Sequence, residues 1–528
     1  MLSITYSATA SGVDGYEIRV ECAAKKGLPS FEIVGLPDAA VRESEKRIFT
    51  SSESCGISIP SADISINLAP ADKKKEGTAM ELAILVAVYQ AMNIVGEVGN
   101  STFIGEISFS GEVRHVRGVL GMTIAAINSG RDRIFVPLEN LREASVAYRD
   151  GVEIYGVDNI MSLVAFLRGE DGAVLEKATS NPYDSIDSHI SAEDISQVKG
   201  QLVAKRALLT AAAGAHNILF IGPPGSGKSM LAKRLPTILP KMSYEEALED
   251  TKIYSCAGML NDELPFVLER PFRSPHHSLS TAALVGGGKI PTPGEISLAH
   301  NGVLFLDELS EFKKDALEAL RQPIEDKQVT ITRAAGRFTY PSSFMLVCAM
   351  NPCKCGYYGS PNGRCTCKAT DIRAYLQKIS GPMLDRIDIQ VEMPALSFDE
   401  LSDDASGETS AQVREKVNAA RELSRMRFQR AGIKNYAVKS NALMETDELR
   451  EFCSLDEDSK KVMEGVFTKM NLSARAYDRI LRVARTLCDL DAVSRGITEE
   501  DGMIGGRIKK QHIAEAAQMR ALDRKYFR

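Results

Sequence analysis

Residues 216–235, "HNILFIGPPGSGKSMLAKRL", pass from an apolar run through a glycine-rich loop into an amphipathic stretch. That order predicts a buried strand, a tight loop and the opening turns of a helix. The loop Gly222, Pro223, Pro224, Gly225, Ser226, Gly227, Lys228 and Ser229 has the spacing of a phosphate cradle. Its glycines let backbone N–H groups close around phosphate, and the helix N-terminus adds partial positive charge. Lys228 is expected to reach the β- and γ-phosphates of ATP, and Ser229 to ligate Mg2+.

Downstream, "NGVLFLDE" (301–308) is an apolar strand ending in two carboxylates. Asp307 can hold Mg2+ through water while Glu308 polarises the attacking water. The next strand, "SFMLVCAMN" (343–351), delivers Asn351, whose carboxamide can orient that water. Together with "DIQVEM", these continuous apolar strands predict an α/β fold with a parallel sheet covered on both faces.

At 528 residues the chain is too long for one core. Residues 1–168 read as one α/β unit, with strands at "YEIRVEC", "FEIVG", "DISINLAP" and "STFIGEIS" and helices at "AMELAILVAVYQAM" and "VLGMTIAAINSG". Residues 169–194 are polar and without period, as a linker is. Residues 195–395 form the second α/β unit, and 396–528 turn helical. No apolar run has bilayer length. The start lacks a basic segment followed by an apolar one, so the expected location is cytoplasmic, where thiols stay reduced. A net charge of −6 gives no global nucleic-acid footprint, so any DNA contact has to be local, as inside a ring.

Behind Asn351 stands "NPCKCGYYGSPNGRCTC" (351–367), with four of the ten cysteines. The pairs Cys353/Cys355 and Cys365/Cys367 are joined by a stretch rich in glycine, long enough to turn back. Four thiolates can close a structural zinc site; redox-active disulfides and unliganded thiols are the alternatives. "QVTITRAAGRFTYP" (328–341) reads as a β-hairpin, with Arg333 and Arg337 flanking its tip. Both can hold DNA phosphates, or simply be solvated. His276 and His277 lack a third ligand at metal spacing and are expected to be structural.

Several long segments, "RPFRSPHHSLSTAALVGGG", "PTPGEISLAHNGVLFLDELSEF", "RQPIEDKQVTITRA", "SGPMLDRIDIQVEMP" and "LSARAYDRILRVARTL", make the chain resemble the AAA+ ATPases. Within them it is similar to the magnesium-chelatase-like YifB/ComM family. The resemblance implies an AAA+ core with a C-terminal helical lid and an N-terminal domain like that of Lon protease. It also implies an arginine finger at Arg386, acting on the neighbouring subunit's nucleotide, and a lid sensor at Arg475, with Arg479 a close competitor. A finger acting in trans requires a homo-oligomeric ring, hexameric by analogy. In this family the hairpin projects toward the pore, and "LVGGGKIPTPGEISLAH", with Lys289, resembles the second pore insertion.

Lon's Ser–Lys dyad is missing: Leu120 occupies the lysine position and Ala79 the serine position, with Thr78 beside it. Without a lysine base, Thr78 is expected to be structural. The leading expectation is a ring motor on DNA, a helicase promoting branch migration in recombination during natural transformation. A protein-remodelling or chelatase-type ATPase is the alternative, and an ATP-dependent protease is disfavoured by the missing dyad.

Overall fold

The structure is a computed structural model. It describes residues 1–73, 75, 77–184, 193–261, 264–288, 291–333, 336–360, 363–397, 400, 407–436 and 439–527. Five strands make the central sheet of the second unit: β1 (Ile218–Ile221), β2 (Phe272–Arg273), β3 (Val303–Leu306), β4 (Met345–Met350) and β5 (Ile389–Glu392). They lie in the order β2-β3-β4-β1-β5, and every pairing is parallel. β1, β3 and β4 are buried at every position, as their unbroken apolar sequence requires of a sheet covered on both faces. Because β4 separates β1 from β3 in space, the chain reverses its winding direction there, and a crevice opens at the carboxyl ends of the strands.

Among the described residues the chain beyond residue 409 is mainly helical, with long helices at Ser410–Arg430, Glu457–Met470 and Ala474–Ser494 and one short antiparallel strand pair, Glu499–Glu500 with Met503–Ile504. The last packs its apolar face on helix Leu202–Gly214 of the core, joining Ile480, Ala484 and Leu487 to Ala207, Leu208 and Ala211. Asp489, fully buried, is bracketed by Arg427 at 2.7 Å and Arg485 at 3.0 Å. Burial raises its pKa, but the two guanidiniums more than offset that and hold the carboxyl below its usual range.

The N-terminal unit is built on an eight-stranded mixed sheet around the hairpin Leu2–Ser11/Asp14–Lys25. Helix Glu81–Ala91 lies on this hairpin and is buried almost all round. Strand Leu2–Ser11 has no counterpart in the sequence reading, and Glu176–Lys177, inside the expected linker, adds an edge strand to the sheet. The unit docks on helix Tyr244–Ala257. Leu120 sits with Val146, Met242, Ala247 and Phe266 in one apolar cluster, while Asp14 meets Lys252 at 2.9 Å and Gly118 N–H donates to the Ser255 carbonyl.

Candidate active site

The glycine-rich loop leaves the carboxyl end of β1 and runs into helix Lys228–Lys233. Gly222 cannot be another residue: a Cβ there would lie 2.2 Å from the Met393 carbonyl oxygen. The Lys228 ammonium folds back on its own loop and donates to the carbonyls of Gly222 (2.7 Å) and Pro223 (2.9 Å) and to Asn351 Oδ1 (3.1 Å). Burial lowers its pKa to about 8, against a smaller opposing pull from Asp307. Ser229 Oγ donates to Asp307 Oδ2 at 2.6 Å. The carboxyl ends of β1, β3 and β4, three neighbouring strands, therefore bring Lys228, Ser229, Asp307 and Asn351 together.

Glu308 follows in left-handed backbone (φ 51°, ψ 48°), uncommon for a residue other than glycine, and its N–H donates to Asp307 Oδ1 at 2.9 Å. Its carboxylate meets His277 Nδ1 at 3.3 Å. His277 in turn lies against His276, with ring centroids 4.1 Å apart and planes tilted by 34°. Nothing in the residue pattern connects His277 with the acidic pair. The ligand spacing that would betray a metal site is absent, and a single histidine on a loop has no pattern of its own.

Arg386 lies at the other rim of the sheet. Its carbonyl accepts from Asn217, at the amino end of β1, and its buried guanidinium pairs with Glu325 and donates to the Pro382 carbonyl at 2.7 Å. It is thus separated from its own phosphate loop by the length of the sheet. Arg479 is held by Asp388 at 3.4 Å, just before β5. Arg475 is exposed in the first turn of helix Ala474–Ser494.

The hairpin is formed by strands Gln328–Arg333 and Gly336–Pro341, paired Thr332 to Arg337 and Arg333 to Gly336. Arg333 and Arg337 are both exposed; the tip residues 334–335 lie outside the described residues, as does Lys289 of the second insertion. The two insertions touch. Tyr340 donates to the Pro291 carbonyl at 2.8 Å, and a Cβ on Gly287 would lie 3.3 Å from the Arg333 guanidinium.

The four clustered cysteines do converge. Their sulfurs lie within 4.8 Å of one another, with Cys353 buried and the other three half-buried. Sulfur–sulfur separations are 3.3 Å (Cys353–Cys355), 3.8 Å (Cys353–Cys365) and 3.7 Å (Cys355–Cys365), with no disulfide. A tetrahedral zinc site with Zn–S bonds of about 2.3 Å requires separations of about 3.8 Å, so the donor set fits that ion.

In the N-terminal unit Thr78 hydrogen-bonds Glu106, and Glu81 takes Arg47 (2.7 Å) and the Ile107 N–H (3.0 Å). Leu120 is fully buried, its N–H bonded to Glu143 at 3.0 Å.

Fold and site define a P-loop ATPase of the AAA+ class. The family model for magnesium chelatase, subunit ChlI, matches residues 194–401; those for subunit ChlI of Mg-chelatase and for the ChlI C-terminal region match residues 20–140 and 407–520. The chain is 41% identical over 526 residues to protein YifB of Escherichia coli (strain K12), covering 99% of this chain and 98% of that one. It is 39% identical over 528 residues to competence protein ComM of Haemophilus influenzae, covering 99% and 98%. A shorter similarity, 24% over 171 residues, links it to Lon protease 2 of Bacillus subtilis, covering 30% and 31%. The chain belongs to the YifB/ComM family of magnesium-chelatase-like AAA+ proteins. Among the described residues no helix is long and apolar enough to cross a membrane.

Proposed function

We propose that this protein is an ATP-hydrolysing ring motor that acts on DNA. The convergence of Lys228, Ser229, Asp307 and Asn351 in the crevice above the parallel sheet supports the first half of that reading. A desolvated ammonium resting on two carbonyls has weak partners; phosphate oxygens are stronger ones, so ATP draws Lys228 from its loop. Ser229 and Asp307 are the residues that would hold Mg2+, which, when bound, neutralises charge on the β- and γ-phosphates. Glu308 accepts a proton from the attacking water, Asn351 orients that water, and His277 positions Glu308. Arg386, remote from its own loop, serves the neighbouring subunit as an arginine finger, which makes a closed ring, taken as a hexamer, part of the catalytic unit. Arg475 is the lid sensor, since Arg479 is engaged by Asp388.

Arg333 and Arg337, exposed beside the second insertion, are the groups offered to DNA phosphates. Because the relative in Haemophilus influenzae is a competence protein, the DNA task is read as helicase-driven branch migration during recombination of incoming DNA, in the cytoplasm. The four thiolates are a closed structural zinc site. The N-terminal unit, residues 1–168 together with the edge strand Glu176–Lys177, is a Lon-like domain without its dyad and acts as scaffold.

ATPase rate with and without branched DNA, beside Lys228→Ala and an Arg333→Ala/Arg337→Ala double variant, tests the proposal. Stimulation by branched DNA that Lys228→Ala abolishes, and that the double variant loses with rising salt dependence removed, is expected. A rate indifferent to DNA but abolished by Lys228→Ala would overturn the DNA half and favour a protein substrate.

A further inference from the structure

The thiol loop does more than close on itself. Gly356, with φ +87°, presses its backbone on the phosphate loop: a Cβ there would lie 2.5 Å from Cδ and 2.9 Å from Cγ of Pro224. The same Cβ would lie 3.9 Å from the Asn351 side chain. Pro223 and Pro224 carry no amide hydrogen, so this side of the loop cannot be fixed by its own N–H bonds and depends on packing.

The loop is also anchored on its far side. Tyr358 meets Tyr526 with ring centroids 6.2 Å apart, and a Cβ on Gly359 would lie 3.7 Å from the Tyr526 hydroxyl. Tyr526 donates to Glu392 at 2.8 Å, and Lys525 pairs with the same carboxylate at 2.7 Å. Glu392 is the last residue of β5, opposite Ile221, which leads into the phosphate loop. The cysteines thus stand between two structures that both bear on one proline-rich turn. A loop with three glycines has no reason to hold that position unless something closes it.

We propose, resting on the zinc and ATPase readings above, that the metal-closed loop Cys353–Cys367 is a strut for the phosphate loop. In this scheme zinc held by the four thiolates would fix Gly356 against Pro224, and ATP binding depends on that contact. Gly356 and Pro224 are positioning residues in this scheme.

The test uses the full chain under reducing conditions. Zinc is counted by elemental analysis, and the Kd of a fluorescent ATP analogue is measured before and after zinc is stripped with a chelator, with a circular-dichroism melt at each stage. One zinc per chain is expected, with an affinity loss of about tenfold on stripping, reversed by added zinc. Should the stripped chain unfold, Gly356→Ala decides the matter, since it keeps all four thiols. It should retain one zinc and still lose affinity about tenfold, through the collision with Pro224 and the left-handed backbone. A folded, zinc-free chain that binds the analogue as tightly as the loaded one overturns the strut, as does a Gly356→Ala chain of unchanged affinity. A zinc-loaded wild-type chain that binds no nucleotide at all fails differently, because it removes the ATPase reading itself.

Discussion

The phosphate loop and the segment leading into helix Glu81–Ala91 both deliver polar side chains to the start of a helix, yet their chemistry has gone different ways. In the core, Lys228, Ser229, Asp307 and Asn351 converge in a crevice and bond mainly to one another and to loop carbonyls. In the N-terminal unit each group is held by a partner: Thr78 donates to Glu106, and Glu81 pairs with Arg47 and accepts from the Ile107 N–H. Leu120, which the proposed Lon-like reading sets where a lysine base would stand, is wedged into an apolar cluster with the core's Met242, Ala247 and Phe266. One site gathers polar groups whose partners are one another and loop carbonyls, which a ligand can exchange for its own. The other is packing that joins two parts of the chain. Placement in a fold is therefore a poor guide to activity, and the present partners of each group are a better one.

The largest effect should come from Glu308, proposed to do chemistry without holding ATP. Glu308→Gln is expected to lower single-turnover hydrolysis about 10²–10⁴-fold while ATP binding persists, as measured by quench flow and filter binding. Equal loss of binding and hydrolysis would place Glu308 among the binding groups and break the contrast between the two sites.

Lys228 offers a graded version of the same comparison. Its pKa is lowered to about 8 by burial, whereas a phosphate neighbour favours the charged form. Below about pH 8 the lysine is already protonated, and ATP binding takes up no proton there. Above that pH the free protein must gain a proton to bind, so affinity should fall as pH rises through about 8, by up to about tenfold per unit. Calorimetry in two buffers of different ionisation enthalpy would register the uptake. A flat profile from pH 7 to 9.5 would show that the ammonium stays charged in the free loop.

A smaller change is expected from His277→Ala: kcat lower by about fivefold with KM unaltered, the signature of a lost positioning contact to Glu308. A rise in KM alone would tie His277 to binding instead.

How far the sequence could be read follows from the range of each signal. β1, β3 and β4 are legible because a doubly covered strand must be apolar throughout, and the phosphate loop because its spacing and its strand–helix setting coincide. Strand Leu2–Ser11 escaped because its buried positions are Ser3, Thr5, Ser7, Ala8 and Thr9. Those hydroxyls are tolerated where they donate to helix carbonyls, Ser3 to Ala87 at 2.7 Å and Thr5 to Ala83 at 2.9 Å, and no hydropathy pattern announces that. The His277–Glu308 pair and the Gly356–Pro224 contact join residues distant in the chain through loops. They become visible only when the sheet order sets those loops side by side.

The smallest effect tests the silent half of the comparison. Thr78 is half-buried, and its hydroxyl donates to a single carboxylate, Glu106. Removing it in Thr78→Ala deletes one hydrogen bond to a charged, partly solvated acceptor, which should cost about 1 kcal/mol in denaturant unfolding of the N-terminal unit. The ATPase rate should not move, because the contacts to helix Tyr244–Ala257 run through Leu120, Asp14 and Gly118 and leave Thr78 out. Peptide cleavage should be undetectable before and after the change, since on the proposed Lon-like reading Leu120 stands where a lysine base is needed. Cleavage that is present in the wild type and lost in Thr78→Ala would mean that a threonine nucleophile works there with another base. The two sites would then differ in substrate rather than in being alive and dead.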